Sequence, residues 1–178
     1  MPNIPRPIRP KSESAPRKVE NVITGMAHSG VCVSDCEAAV AFYRDVLGLR
    51  VLSPPYVMTG NAIRNDMGEL VSDPSMKAAI VGFEDDGDRV LEVIEYLNAE
   101  ASELHRGLTD HGLSHVGLIC ADIDATRAEL ETKGVRFLVS GVADVARVRT
   151  TWFVDPWGVV FILVEKSRSE RPYFSQWG

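Results

Sequence analysis

The chain is poor in cysteine, has no long apolar run and carries no surplus of positive charge. Each of these shortages narrows the field. Only three of its 178 residues are cysteine, Cys32, Cys36 and Cys120, and an odd number at these spacings matches neither a disulfide framework nor a zinc module. They read as reduced, small core residues, the usage of a cytoplasmic protein. No stretch approaches the roughly 18 consecutive apolar residues that a membrane-spanning helix needs, so no membrane partner is expected. Lys and Arg number 19 against 25 Asp and Glu, a net charge of −6. Nucleic acid is therefore not an expected partner, because displacing phosphate counterions takes a basic surface. The opening "MPNIPRPIRPKSESAPRK" is basic but has no apolar segment behind it, which argues against a secretory leader. Residues 1–21 read as a Pro-rich basic tail that lacks the apolar content to order itself.

What is present is the composition of a folded protein, 45% hydrophobic and 25% charged. A chain of this length suits one domain or two small modules sharing a core. The sequence favours the second, because it repeats itself. "HSGVCVSD" at 28–35 returns as "HVGLICAD" at 115–122, each with histidine first, glycine two places on and aspartate last. Both segments are strand-like, and Asp35 and Asp122 stand where a helix cap belongs. The helices that follow, "CEAAVAFYRDVLGL" and "IDATRAELETKG", reach terminal glycines, Gly48 and Gly134. In the first, Val40, Tyr43, Val46 and Leu47 share one face. Further strands follow in matched order: "LRVL", "KAAIVGF" and "RVLEVIEYL", then "VRFL", "RTTWFV" and "VVFILVE" across the turn "DPWG". The expected organisation is a first module over 22–97, a linker over 98–111, a second module over 112–166 and an aromatic C-terminal tail over 167–178. Two strand-rich copies of this size are best read as a pseudo-symmetric pair.

The repeat also aligns the two final strands, Glu95 with Glu165 and Glu92 with Ile162. Side chains alternate along a strand, so Glu92 faces away from Glu95 and shares a face with Val90 and Ile94. A carboxylate among apolar neighbours needs a partner. The two histidines that open the repeat, His28 and His115, are the natural company, and imidazole with carboxylate is a donor set that divalent metals accept.

These segments resemble the vicinal oxygen chelate superfamily, the glyoxalase, bleomycin resistance and extradiol dioxygenase fold, including its methylmalonyl-CoA epimerases. The resemblance rests on "HSGVCVSDCEAAVAFYRDVLGL", "LEVIEY", "HVGLICADIDA" and "DPWGVVFILVE" and covers roughly residues 22–166. It implies an α+β fold of two βαβββ modules in a pseudo-twofold arrangement, with mixed sheets cupping a shared metal and ligand cavity. By position it implies His28, Glu92 and His115 as ligands of a divalent ion: zinc, cobalt, nickel, manganese or iron(II). It implies a small-molecule substrate with adjacent oxygens and a homodimer. The family's fourth ligand position holds Ile162 here.

Two imidazoles and one carboxylate leave open positions on a metal. The first expectation is an epimerase, isomerase or lyase that chelates vicinal oxygens and stabilises an enolate. An iron(II) extradiol-type dioxygenase is the alternative suggested by the donor set, and a non-catalytic binding protein is the alternative suggested by Ile162. No catalytic acid or base can be named. The insertion "SPPYVMTGNAIRNDMGELVSDPSM" has the length of a lid and contains a helical-looking piece bearing Asp66 and Glu69, both read as surface charges. His105 and His111 have no repeat counterpart and read as surface residues. Tyr173, Phe174 and Trp177 load the tail with aromatics, which suits docking onto the same chain or a second subunit.

Overall fold

The computed structural model describes residues 25–83, 89–101, 107–145, 147–166 and 172. The basic N-terminal tail, His105 and the three tail aromatics fall outside them. The first module runs β1 (His28–Cys32), α1 (Cys36–Asp45), β2 (Arg50–Met58), α2 (Asn61–Met67), β3 (Met76–Gly82) and β4 (Val90–Tyr96). The second runs β5 (Val116–Cys120), α3 (Ile123–Thr132), β6 (Arg136–Phe137), β7 (Ala143–Val145), β8 (Val148–Val154) and β9 (Val160–Glu165). Each module makes its own sheet, in the orders β1-β4-β3-β2 and β5-β9-β8-β6, with β7 pairing β8 off the main path. In both, the first strand runs parallel to the last and the other pairings are antiparallel. This is the expected pair of βαβββ units.

The helices start and stop where the repeat predicts. The Asp35 carboxylate accepts the Ala38 N–H and the Asp122 carboxylate accepts the Ala125 N–H, both at 2.9 Å. Each thereby satisfies a donor that the first helical turn leaves open. Gly48 and Gly134 take φ of 77° and 82° just past the helices, a conformation that costs glycine nothing.

Each sheet has one face against its helix and one open face. In the first sheet Val31, Ala79, Val81, Leu91 and Val93 point toward α1, where they meet Cys36, Ala39, Val40 and Tyr43 in a core that continues into Phe153, Phe161 and Leu163 of the second module. The modules are clasped by a buried pair: the Tyr43 hydroxyl donates to the Asp155 carboxylate at 2.7 Å, while the same aspartate accepts the N–H groups of Trp157 and Val159. Burial pushes both groups above their ordinary pKa values, with the Asp155 charge adding to the rise at Tyr43. The phenol therefore stays a proton donor.

Three details depart from the sequence reading. β2 does not stop at "LRVL" but runs on through Pro54 and Pro55 to Met58. It is an edge strand, and its pairing with β3 slips between Val51 and Ser53 and again between Ser53 and Tyr56, so prolines without N–H groups are tolerated there. β7 was not foreseen; it forms a short hairpin with β8, closed by Arg147 at φ 62°. Of the cysteines, Cys36 is buried and its thiol is pushed up to about 11, chiefly by burial, but Cys32 is exposed and is not a core residue.

Candidate metal centre

Strand register puts His28, Gly30 and Cys32 on the same face as Val90, Glu92 and Ile94, which is the open face of the first sheet. There the His28 Nε2 lies 3.2 Å from Glu92 Oε2, with side chains 47% and 22% exposed. That spacing suits a direct ion pair and also suits two donors on one ion, because metal bonds of about 2.0 to 2.2 Å place neighbouring ligand atoms roughly 2.8 to 3.6 Å apart between octahedral and tetrahedral angles. The half-exposed pair is thus reachable, and the donor types fit a divalent metal. Ile80 sits across from Glu92 on β3, and apolar neighbours of this kind strengthen any charge interaction at the carboxylate.

His115 occupies the corresponding place in the second module. It immediately precedes β5, and its exposed ring meets Trp152 edge-on, with centroids 4.9 Å apart at 72°. Its Nδ1 lies 2.7 Å from the Ser114 hydroxyl. Ile162, paired with Gly117 on one side and Trp152 on the other, makes this part of the second open face apolar. The three residues singled out in the sequence are therefore not gathered equally. His28 and Glu92 meet, whereas His115 does not complete a three-donor cluster with them within 4.8 Å among the described residues.

The three-donor group that does meet that distance is Asp35, Glu37 and Glu95, and its geometry is structural. Glu95 accepts the Cys36 N–H at 2.9 Å, and the Lys77 ammonium lies 2.7 Å from Glu37 and 3.6 Å from Glu95. The hydrogen bond to Lys77 holds the Glu37 carboxyl below its ordinary value. A cation already occupies the place. The second module builds the same device: Glu165 accepts the Ile123 N–H at 2.9 Å, and Arg149 bridges Glu165 at 3.3 Å and Asp124 at 2.8 Å.

A cavity of about 620 Å³ lies where the modules meet, lined by His28, Gly82 and Val90 on one side and by Gly117, Ile119 and Lys166 on the other. Its size falls within the roughly 300 to 1,000 Å³ of small-molecule sites. The strand that follows His115 thus lines the same space as His28. Over the rest of the first open face lies α2, whose Ile63 packs with Met76 and Ala78, joined by Met58, Met67, Ile94 and Tyr96. Asp66 and Glu69, in and just beyond this helix, are exposed. Tyr96 shares the face of Glu92, and burial pushes its phenol above the ordinary value, with Cys32 and Glu92 adding to the rise. Strand alternation from Glu92 to Tyr96 was the signal that could have found it. No sequence signal marks the bond from Ser114 or the contact with Trp152.

Residues 25–163 match the Glyoxalase/Bleomycin resistance protein/Dioxygenase superfamily. No curated protein matches the chain significantly. Among solved structures it is similar to a glyoxalase family protein from Bacillus cereus, with TM-score 0.70, 19% identity, and coverage of 83% of this chain and 97% of that one. It is also similar to glyoxalase I from Zea mays, with TM-score 0.60, 15% identity, 83% of this chain and 47% of that one. A third is TnmS3, an antibiotic binding protein from Streptomyces sp. CB03234, with TM-score 0.55, 23% identity, 83% of this chain and 99% of that one. At these identities the three likenesses speak for the fold. Two βαβββ sheets, with a family match that spans both, are the vicinal oxygen chelate architecture. The chain belongs to the glyoxalase, bleomycin resistance and dioxygenase superfamily.

Proposed function

We propose that this protein is a metal-dependent enzyme that chelates two adjacent oxygens of a small substrate and stabilises an enolate, as an epimerase, isomerase or lyase. The observation that carries the reading is the His28 and Glu92 pair, held 3.2 Å apart on an open sheet face, with His28 also lining the cavity of about 620 Å³ between the modules. The ligands are His28 and Glu92, which already meet, and His115, which stands apart from them in this structure and is the donor the reading requires from the second sheet. A divalent ion bound there would act as a Lewis acid toward the substrate oxygens. The chain's own residues supply the rest. Glu92 balances charge, the apolar wall formed by α2 keeps water off one side, and the protonated Tyr96 phenol is a donor on the same face.

The working form is a homodimer, as the resemblance to its family implies.

Two other readings have support. Two imidazoles and one carboxylate are also the donor set of non-haem iron(II) oxygenases, which favours a dioxygenase. Ile162, together with the likeness to an antibiotic binding protein, favours a binder without catalysis. Metal analysis of the purified, dialysed protein beside His115→Ala and Glu92→Ala separates them. Near-stoichiometric zinc, cobalt, nickel or manganese, lost in both variants, supports enolate chemistry. Iron supports oxygenation. A wild type that takes up none of these ions overturns the enzyme reading and leaves the binder.

A further inference from the structure

The two histidines are held by different atoms. His28 turns its Nε2 to Glu92. His115 has its Nδ1 covered by the Ser114 hydroxyl at 2.7 Å and one edge of its ring against Trp152. These two contacts come from different places, the turn leading into β5 and the strand β8, and together they oppose rotation of the ring. The Nε2 of His115 is the nitrogen they leave open, on an exposed side chain.

A hydroxyl can donate to an imidazole nitrogen or accept from it, and the choice fixes which nitrogen keeps its lone pair. The geometry points to Ser114 as a positioning residue that accepts a hydrogen bond from Nδ1–H of His115, so that the neutral ring presents its Nε2 lone pair to the open face. This inference rests on the metal reading above, and it adds that the second sheet sets its ligand in the binding tautomer before any ion arrives. The partner bonded to a ligating histidine's second nitrogen fixes its tautomer and raises its basicity. Neighbours on a regular strand point to opposite faces. Ser114 reaches the ring beside it because residues 113–115 precede β5 rather than belonging to it.

The test uses nitrogen NMR of the imidazoles in metal-free full-length protein, at a pH above the imidazole pKa, for the wild type, Ser114→Ala and Ser114→Thr. A His115→Ala spectrum identifies the His115 signals among those of the chain's four histidines. Cobalt(II) affinity is measured on the same samples by competition with a chromophoric chelator. The wild type should show the Nδ1–H tautomer. Ser114→Ala should move the ring toward the Nε2–H form and weaken cobalt binding about tenfold, and Ser114→Thr should restore both. An Nε2–H ring in the wild type, or a tautomer unmoved in Ser114→Ala, overturns the proposal. An Nδ1–H ring that depends on Ser114 in a protein that takes up no cobalt upholds the tautomer and overturns the metal reading instead.

Discussion

The two modules agree in how they are built and differ in what they can bind. Each uses a glutamate at the end of its last strand to cap its helix, a cation on the neighbouring strand to bind that glutamate, and an acid in the first helical turn to bind the cation. Glu95, Lys77 and Glu37 form the first set, and Glu165, Arg149 and Asp124 the second. Three residues before the capping glutamates the copies diverge. Glu92 faces His28, whereas Ile162 faces Trp152 and Gly117. The shared parts lie on helix-facing positions, where changing a residue costs stability. The difference lies on the open face, where folding tolerates either side chain. At the matching position one open face carries a carboxylate and the other is apolar.

The strongest challenge to this contrast exchanges the differing residue. Glu92→Ala should weaken divalent metal binding on the order of a hundredfold, and Ile162→Glu, which gives the second module its own carboxylate, should strengthen it about tenfold. Chelator competition measures both. If Ile162→Glu leaves affinity untouched, the two open faces do not serve one site.

The clasp between modules comes next. Tyr43→Phe leaves a buried carboxylate short of a donor and should cost about 1 to 3 kcal/mol in chemical denaturation. The pH dependence has a definite sign. Burial raises the Asp155 pKa in the folded protein, so the native state holds the proton more tightly than the unfolded chain. Its contribution is therefore most favourable below the ordinary carboxylate pKa of about 4 and declines as pH rises through the higher folded value. Asp155→Asn should flatten that decline, as read from denaturation midpoints across acidic pH.

Smaller effects test the shared device. Glu95→Ala and Glu165→Ala each remove a cap on a helix N–H and should each cost about 1 kcal/mol. Unequal losses would mean that the repeat is geometric but not energetic. The smallest changes concern the glycines of the repeat. A Cβ at Gly30 would meet the Ile94 side chain at 3.5 Å, and one at Gly117 would meet the Ile162 side chain at 3.7 Å. These are ordinary contacts, so alanine at either position should shift stability by no more than about 0.5 kcal/mol.

Much of this was legible in the chain before folding, because it is local. The capping aspartates, the positive-φ glycines after the helices and the opposite facing of Glu92 and Glu95 follow from spacing alone. The rest depends on partners far apart in sequence. Tyr43 and Asp155 are separated by 112 positions, and Lys77 finds Glu37 across 40. The run of β2 through Pro54 and Pro55 was hidden for another reason. Two prolines argue against a strand until the strand is known to be an edge. At the candidate site, the register of β1 with β4 brought His28 to Glu92, as alternation suggested, but the setting of His115 depends on Ser114 and Trp152, neither of which carries a pattern of its own.

The prolines and register slips of β2 have a consequence for how copies of this chain can assemble. β2 borders the first sheet on its far side, and the far side of the second ends in the two-residue β6. Neither offers a long, flat rail for another strand. The other two edges, β1 and β5, border the cavity where the modules meet, so among the described residues no sheet edge is a rail along which copies could add end to end into a fibre.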